Sequence, residues 1–190
     1  AGRASLGSPD FASVDLANEG LVDVKEGTLS LYGPVNSAVS TGDFRAVSTA
    51  SSASPVLEFA KGGFRLGDGA TLEGNIHVAS AASLGLISGQ NLNGAPKVFK
   101  SLSLVNDGVI NWTAGDIDMR SSVVITNNGV FNASSVGESA PALRLAPVGG
   151  NGSVSDSLLF QNNGQLVKSG SGPVFFGIAP DSPSMLNGVG

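Results

Sequence analysis

One short phrase recurs four times in this chain. Asn18-Glu19-Gly20, Asn106-Asp107-Gly108, Asn127-Asn128-Gly129 and Asn162-Asn163-Gly164 each introduce a stretch of alternating apolar and polar residues: "LVDVKEGTLSL", "VINWTAGDIDM", "VFNAS" and "QLVKSGSGPVFF". A variant without the asparagine, Gly67-Asp68-Gly69, precedes "ATLEGNIHV". Alternation with a period of two is the mark of a half-buried strand. Asn and Gly tolerate the left-handed backbone that a sharp corner uses. Gly27 follows Gly20 by seven residues and Gly115 follows Gly108 by seven, with Leu29 and Leu31, or Ile117 and Met119, two and four places beyond. One unit therefore reads as strand, corner, strand, corner. Its apolar face is too small to be stable alone, but neighbours stacked about 4.8 Å apart bury a continuous core.

The clearest spacing is 21 residues, from Asn106 to Asn127; the next, to Asn162, is 35. The longer interval contains "SSVGESAPALRLAPVGGNGSVSD", which reads as a loop or a degenerate coil. Coils of roughly 21 residues predict an all-β solenoid of short strands, with roughly eight or nine coils spanning about 40 Å. Residues 1–190 read as a single domain of this kind. "STGDFRAVSTASSASPVLEF" fits either a loop or a polar strand, and "VASAASLGLISGQNLNGAP" has mild helical propensity over Ala79 to Leu86, interrupted by Gly85 and Gly89.

Composition supports strands over helices. The 27 glycines are about twice the usual share, and each costs an interior helical position about 1 kcal/mol relative to Ala. Hydrophobic residues make up 41% and charged residues only 13%, so Ser, Thr, Asn and Gly must carry solubility. The net charge is -5, and the ten Lys and Arg are scattered. A nucleic-acid footprint needs a basic stripe, so nucleic acid is rejected; an anionic membrane surface needs basic clusters and is disfavoured for the same reason. Without cysteine, disulfides, Cys-zinc sites and thiol catalysis are excluded as well. No apolar run reaches the eighteen residues of a membrane-spanning helix. Both ends read as cuts through something longer, or as the ends of a processed product.

"LVNDGVINWTAGDIDM" and "ITNNGVFNAS" resemble repeats of secreted right-handed parallel β-helix proteins, among them filamentous-haemagglutinin-like adhesins and autotransporter passengers. The likeness lies in the Asn-Gly corner, the aromatic after Asn in Asn111-Trp112 and the Gly-x-Ile/Leu continuation. It covers residues 102–135, with weaker matches at 16–33, 64–78 and 158–178. It implies a right-handed parallel β-helix on a secreted or cell-surface protein, in a structural or adhesive, non-enzymatic role. The implied partners are flanking coils, other subunits or glycans. Related β-helices also host polysaccharide lyases and epimerases, so the fold does not choose between these roles. A β-sandwich used for binding is a third possibility.

The remaining candidates are few. Asp116 and Asp118 flank Ile117; with Ile117 inward, both carboxylates face outward about 7 Å apart, where they could hold Ca²⁺ or act on a sugar, or simply form a solvated strand face. Trp112 has two places open to it. With Val109 inward it points outward as a sugar-stacking platform, and with a bend it returns to the core. Trp112, Asp116 and Asp118 are thus the candidate ligand contacts. His77, the sole histidine, faces outward; a catalytic histidine needs a partner, and Glu73 lies four residues back on the same strand parity, but no catalytic role is expected. Gly67-Asp68-Gly69 lacks the tandem calcium pattern and reads as a turn. Three Asn-x-Ser/Thr sequons begin at Asn111, Asn132 and Asn151. One of Phe175 and Phe176 should pack inside. Asn18, Asn106, Asn127 and Asn162 are expected to stack as an inward ladder, with Gly20, Gly108, Gly129 and Gly164 at the corners. No catalytic residue, metal site or cofactor is expected.

Overall fold

The computed structural model describes residues 2–8, 10, 13–48, 54–87, 95–134, 143–147, 157–171 and 173–176. The first strands are β1 (Arg3–Leu6), β2 (Leu21–Val24), β3 (Thr28–Tyr32), β4 (Val39–Ser40) and β5 (Asp43–Ala46). Next come β6 (Val56–Leu66), β7 (Thr71–Leu86), β8 (Lys97–Asn106), β9 (Val109–Trp112) and β10 (Ile117–Asn127). The last are β11 (Val130–Ser134), β12 (Leu143–Pro147), β13 (Leu158–Asn162), β14 (Gln165–Ser169) and β15 (Val174–Phe176). Among the described residues there is no helix, and the registered strand pairings are parallel within one sheet. The chain is all-β, in an arrangement consistent with a β-solenoid.

Alternation fixes what each pass buries. Ala4, Leu29, Leu57, Ile76, Leu104, Ile125 and Phe160 stand in register, one from each successive pass. A second column runs Val22, Phe44, Leu72, Phe99, Met119, and a third Phe64, Leu84, Ile110, Phe131, Leu166. Each fully buried member contributes about 1.5–3 kcal/mol through burial. The steps along the first column run from 19 residues (Leu57 to Ile76) to 35 (Ile125 to Phe160). A uniform coil of roughly 21 residues is therefore corrected: the strand faces keep register while the length of chain between them varies.

The stretch with helical propensity, Ala79 to Leu86, lies within β7, where Ala82, Leu84 and Leu86 are buried. Pairing with β6 on one side and β9 on the other outweighs a weak local preference. In "STGDFRAVSTASSASPVLEF", β5 and the start of β6 are strand, and residues 49–53 lie outside the described residues.

The Asn-x-Gly corners work differently from expectation. Gly108, Gly129 and Gly164 are absent from the positive-φ glycines. Their need for glycine is contact: a Cβ on Gly129 would lie 2.1 Å from the Gly108 carbonyl oxygen, and one on Gly164 2.2 Å from that of Gly129. The cause is a shared acceptor, since Asn128 and Gly129 both donate their N–H groups to Asn106 O, at 2.8 and 2.9 Å. Asn163 and Gly164 repeat this on Asn127 O, at 2.7 and 2.9 Å. Left-handed backbone occurs instead at the second corner, where Gly27 has φ 69° and Gly115 φ 75°, and at bulges holding Ser101 (φ 44°) and Ser121 (φ 66°).

Candidate functional site

The expected asparagine ladder forms from three of its four members. Asn106 Nδ2 donates to Asn127 Oδ1 at 2.7 Å, and Asn127 Nδ2 donates to Asn162 Oδ1 at 2.7 Å. The same two amides also donate to the Val130 and Gln165 carbonyls, at 3.1 and 2.9 Å. Asn18 is corrected out of the ladder. Its Oδ1 accepts from Gly20 N–H at 3.1 Å and its Nδ2 donates to Asp43 O at 3.0 Å. The next pass places Ser40 beside it, and Ser40 pairs with Leu66, so Asn18 caps its own turn on a different corner. The ladder begins at Asn106 because the preceding pass supplies Val78; the buried Asn106 Oδ1 has no partner.

Trp112 is removed from any ligand surface. It is 0% exposed, donates its indole N–H to Gly115 O at 2.8 Å and packs edge-on with Phe176 at 6.1 Å. The inward residues of β9 are Ile110 and Trp112, not Val109, because Ile110 falls in the Leu84–Phe131 column. Phe176 also meets Phe131 and Phe160, forming an aromatic plug toward the C-terminal end of the stack.

Asp116 is exposed and Asp118 half-buried, on either side of the buried Ile117. Burial raises the Asp118 carboxyl above its ordinary range; Arg120 opposes this and Asp116 adds to it. Beside this corner lies a group that strand alternation did not reveal. Lys97 is 1% exposed, its ammonium 3.5 Å from Asp68 Oδ1 and donating to Ala114 O at 3.1 Å. Burial lowers its pKa, with Asp68 and Asp116 opposing. A Cβ on Gly115 would lie 2.7 Å from this nitrogen, so glycine leaves room for the buried pair. Gly67-Asp68-Gly69 is thus a turn that also supplies a counter-ion.

The outer faces carry paired polar rows. Glu73 is not the partner of His77: it takes Arg45 at 3.6 Å and Lys100 at 3.2 Å, from the passes before and after its own. His77 instead lies between Glu58 Oε1, 3.3 Å from Nδ1, and Asp107 Oδ2, 2.8 Å from Nε2. Glu58 Oε2 accepts from Ser30 Oγ at 2.6 Å and from Arg3. Asp107 Oδ1 accepts from Asn128 Nδ2 at 2.8 Å, and Asn163 Nδ2 donates to Asn128 Oδ1 at 2.9 Å. Asn132 likewise donates to Asn111 at 2.8 Å, so two sequon asparagines bond to each other; Asn151 lies outside the described residues.

Among the described residues no group of three His, Asp or Glu side chains is placed to hold a metal ion, and no helix is long and apolar enough to cross a membrane. An open cleft of about 610 Å³ lies at the N-terminal end, beside Arg3, Asp23 and Lys25, and none of the candidate ligand contacts lines it. No protein-family model matches the chain, and neither a curated protein nor a solved structure is significantly similar to it.

Proposed function

We propose that the chain is a right-handed parallel β-helix serving as a non-enzymatic structural or adhesive module of a secreted, cell-surface protein. One observation carries this reading: the outward polar groups bond to their counterparts on neighbouring passes rather than converging on a cleft. The row Glu58, His77, Asp107, Asn128, Asn163 is self-satisfied along the stack. Such a surface suits display and contact with flanking coils, other subunits or glycans. An antibody raised against this chain should label intact source cells, and protease shaving should remove the label. Labelling only after permeabilisation would overturn the reading.

A carbohydrate-active role is the second reading. It is favoured by the Asp118 carboxyl, which burial biases toward the protonated form that a general acid uses. Polyuronate cleavage by the purified chain, lost in Asp116→Asn/Asp118→Asn, would replace the structural reading with this one.

A further inference from the structure

We propose that His77 is a proton-operated clasp, tying three successive passes together while its imidazole carries two protons and releasing one of them when it does not. The geometry is specific. Nδ1 faces a carboxylate oxygen from β6 and Nε2 faces one from the corner after β8. Only a doubly protonated ring donates to both, because a neutral ring of either tautomer turns one lone pair toward an anionic oxygen.

The other oxygens of both carboxylates are already engaged. Arg3 from β1 and Ser30 from β3 hold Glu58 Oε2, and Asn128 from the corner after β10 holds Asp107 Oδ1. The Glu58 and Asp107 oxygens that face the ring are thus left to His77. On β8, the residue in register with His77 is the uncharged Val105. Two cations, Arg3 and His77, then balance two carboxylates. The hydrogen bond from Asn128, and next that from His77, holds the Asp107 carboxyl below its ordinary range, so it stays ionised while the ring gains its proton. The site is only partly screened, with the His77 side chain 28% exposed and Glu58 14%.

Two contacts need the doubly protonated ring, and removal of either ring proton breaks one of them. His77 is the only histidine, so its ring nitrogens give unambiguous ¹⁵N signals. At pH 5, where an imidazole carries both protons, the two native ring N–H groups should exchange with water more slowly than those of a free imidazolium. At that pH the native protein should melt about 2–4 °C above His77→Gln, and the gap should close once the ring is neutral. Ring N–H groups that exchange as fast as those of a free imidazolium would overturn the proposal, as would equal melting midpoints of the two proteins at pH 5. If His77→Gln does not fold, the nitrogen signals of the native chain decide alone.

Discussion

Asn127→Leu tests the ladder where it is most enclosed. Asn127 is 0% exposed and makes three hydrogen bonds through its side chain: it accepts from Asn106 and donates to Asn162 and to Gln165 O. Leucine matches its shape but offers no polar atom. Asn162 lies on the exposed side of the ladder and can turn to water at little cost. The Asn106 amide loses a partner in a buried site and the Gln165 carbonyl loses one in a part-buried site, at about 1–3 kcal/mol each. Apolar burial of leucine offsets some of that, leaving a net loss of about 2–4 kcal/mol, within the range typical of orphaned buried polar groups.

Asn106→Leu/Asn127→Leu is the decisive comparison, because it removes the amide that the single change strands. The same column already carries Leu31, Phe59 and Val78 in the earlier passes, so an apolar column is tolerated by this backbone. The double variant should therefore be destabilised by less than the sum of the two singles, with a coupling of about 0.5–3 kcal/mol. Urea unfolding followed by circular dichroism measures all four proteins. An Asn127→Leu loss below about 0.5 kcal/mol, the level of a surface substitution, would refute the reasoning, as would strict additivity.

Gly129→Ala should be among the most damaging single-methyl changes, because its Cβ would sit 2.1 Å from the Gly108 carbonyl oxygen; a loss of at least about 3 kcal/mol, or insoluble expression, is expected for such overpacking, whereas Gly20→Ala, whose Cβ meets nothing closer than 4.0 Å, should be mild. Ser121→Gly should stabilise the chain by about 0.5–1 kcal/mol in urea unfolding, since Ser121 is held at φ 66°, a conformation that glycine adopts without strain. Asp118→Asn should raise stability at neutral pH. The Asp118 carboxyl is raised in the folded state, so the native chain binds the proton more readily than the unfolded one, and stability falls as pH rises past the ordinary aspartate range. The variant should lack that fall in melts between pH 3 and pH 7.

Much of the local structure was legible in the sequence. Alternation and Asn-x-Gly punctuation are local signals, and they locate strands and corners because side-chain direction in a strand depends only on parity. The ladder of Asn106, Asn127 and Asn162 follows from the same logic, since each asparagine stands at the same place in its own phrase. The second corners at Gly27 and Gly115 were legible too, from a fixed offset of seven residues.

Register between passes was beyond local reading. Which residue of one pass meets which of the next depends on the length of chain in each pass, and that length varies from 19 to 35 residues. This is why Asn18 parts from the ladder, why His77 meets Glu58 and Asp107 instead of Glu73, and why Lys97 lies against Asp68. Parity alone also left Trp112 open, and the column shared by Leu84, Ile110 and Phe131 turned it inward. Glycine at positions 108, 129 and 164 was foreseeable as a residue type but not for its physical reason. The sequence offered backbone freedom, and only stacking showed that the previous pass's carbonyl leaves no room for a Cβ. The chain by itself thus determined strands, corners and an apolar interior, because these depend on neighbours along the sequence. The tertiary stack decided the polar pairings between passes, because those partners stand about 4.8 Å away along the axis and many residues away along the chain.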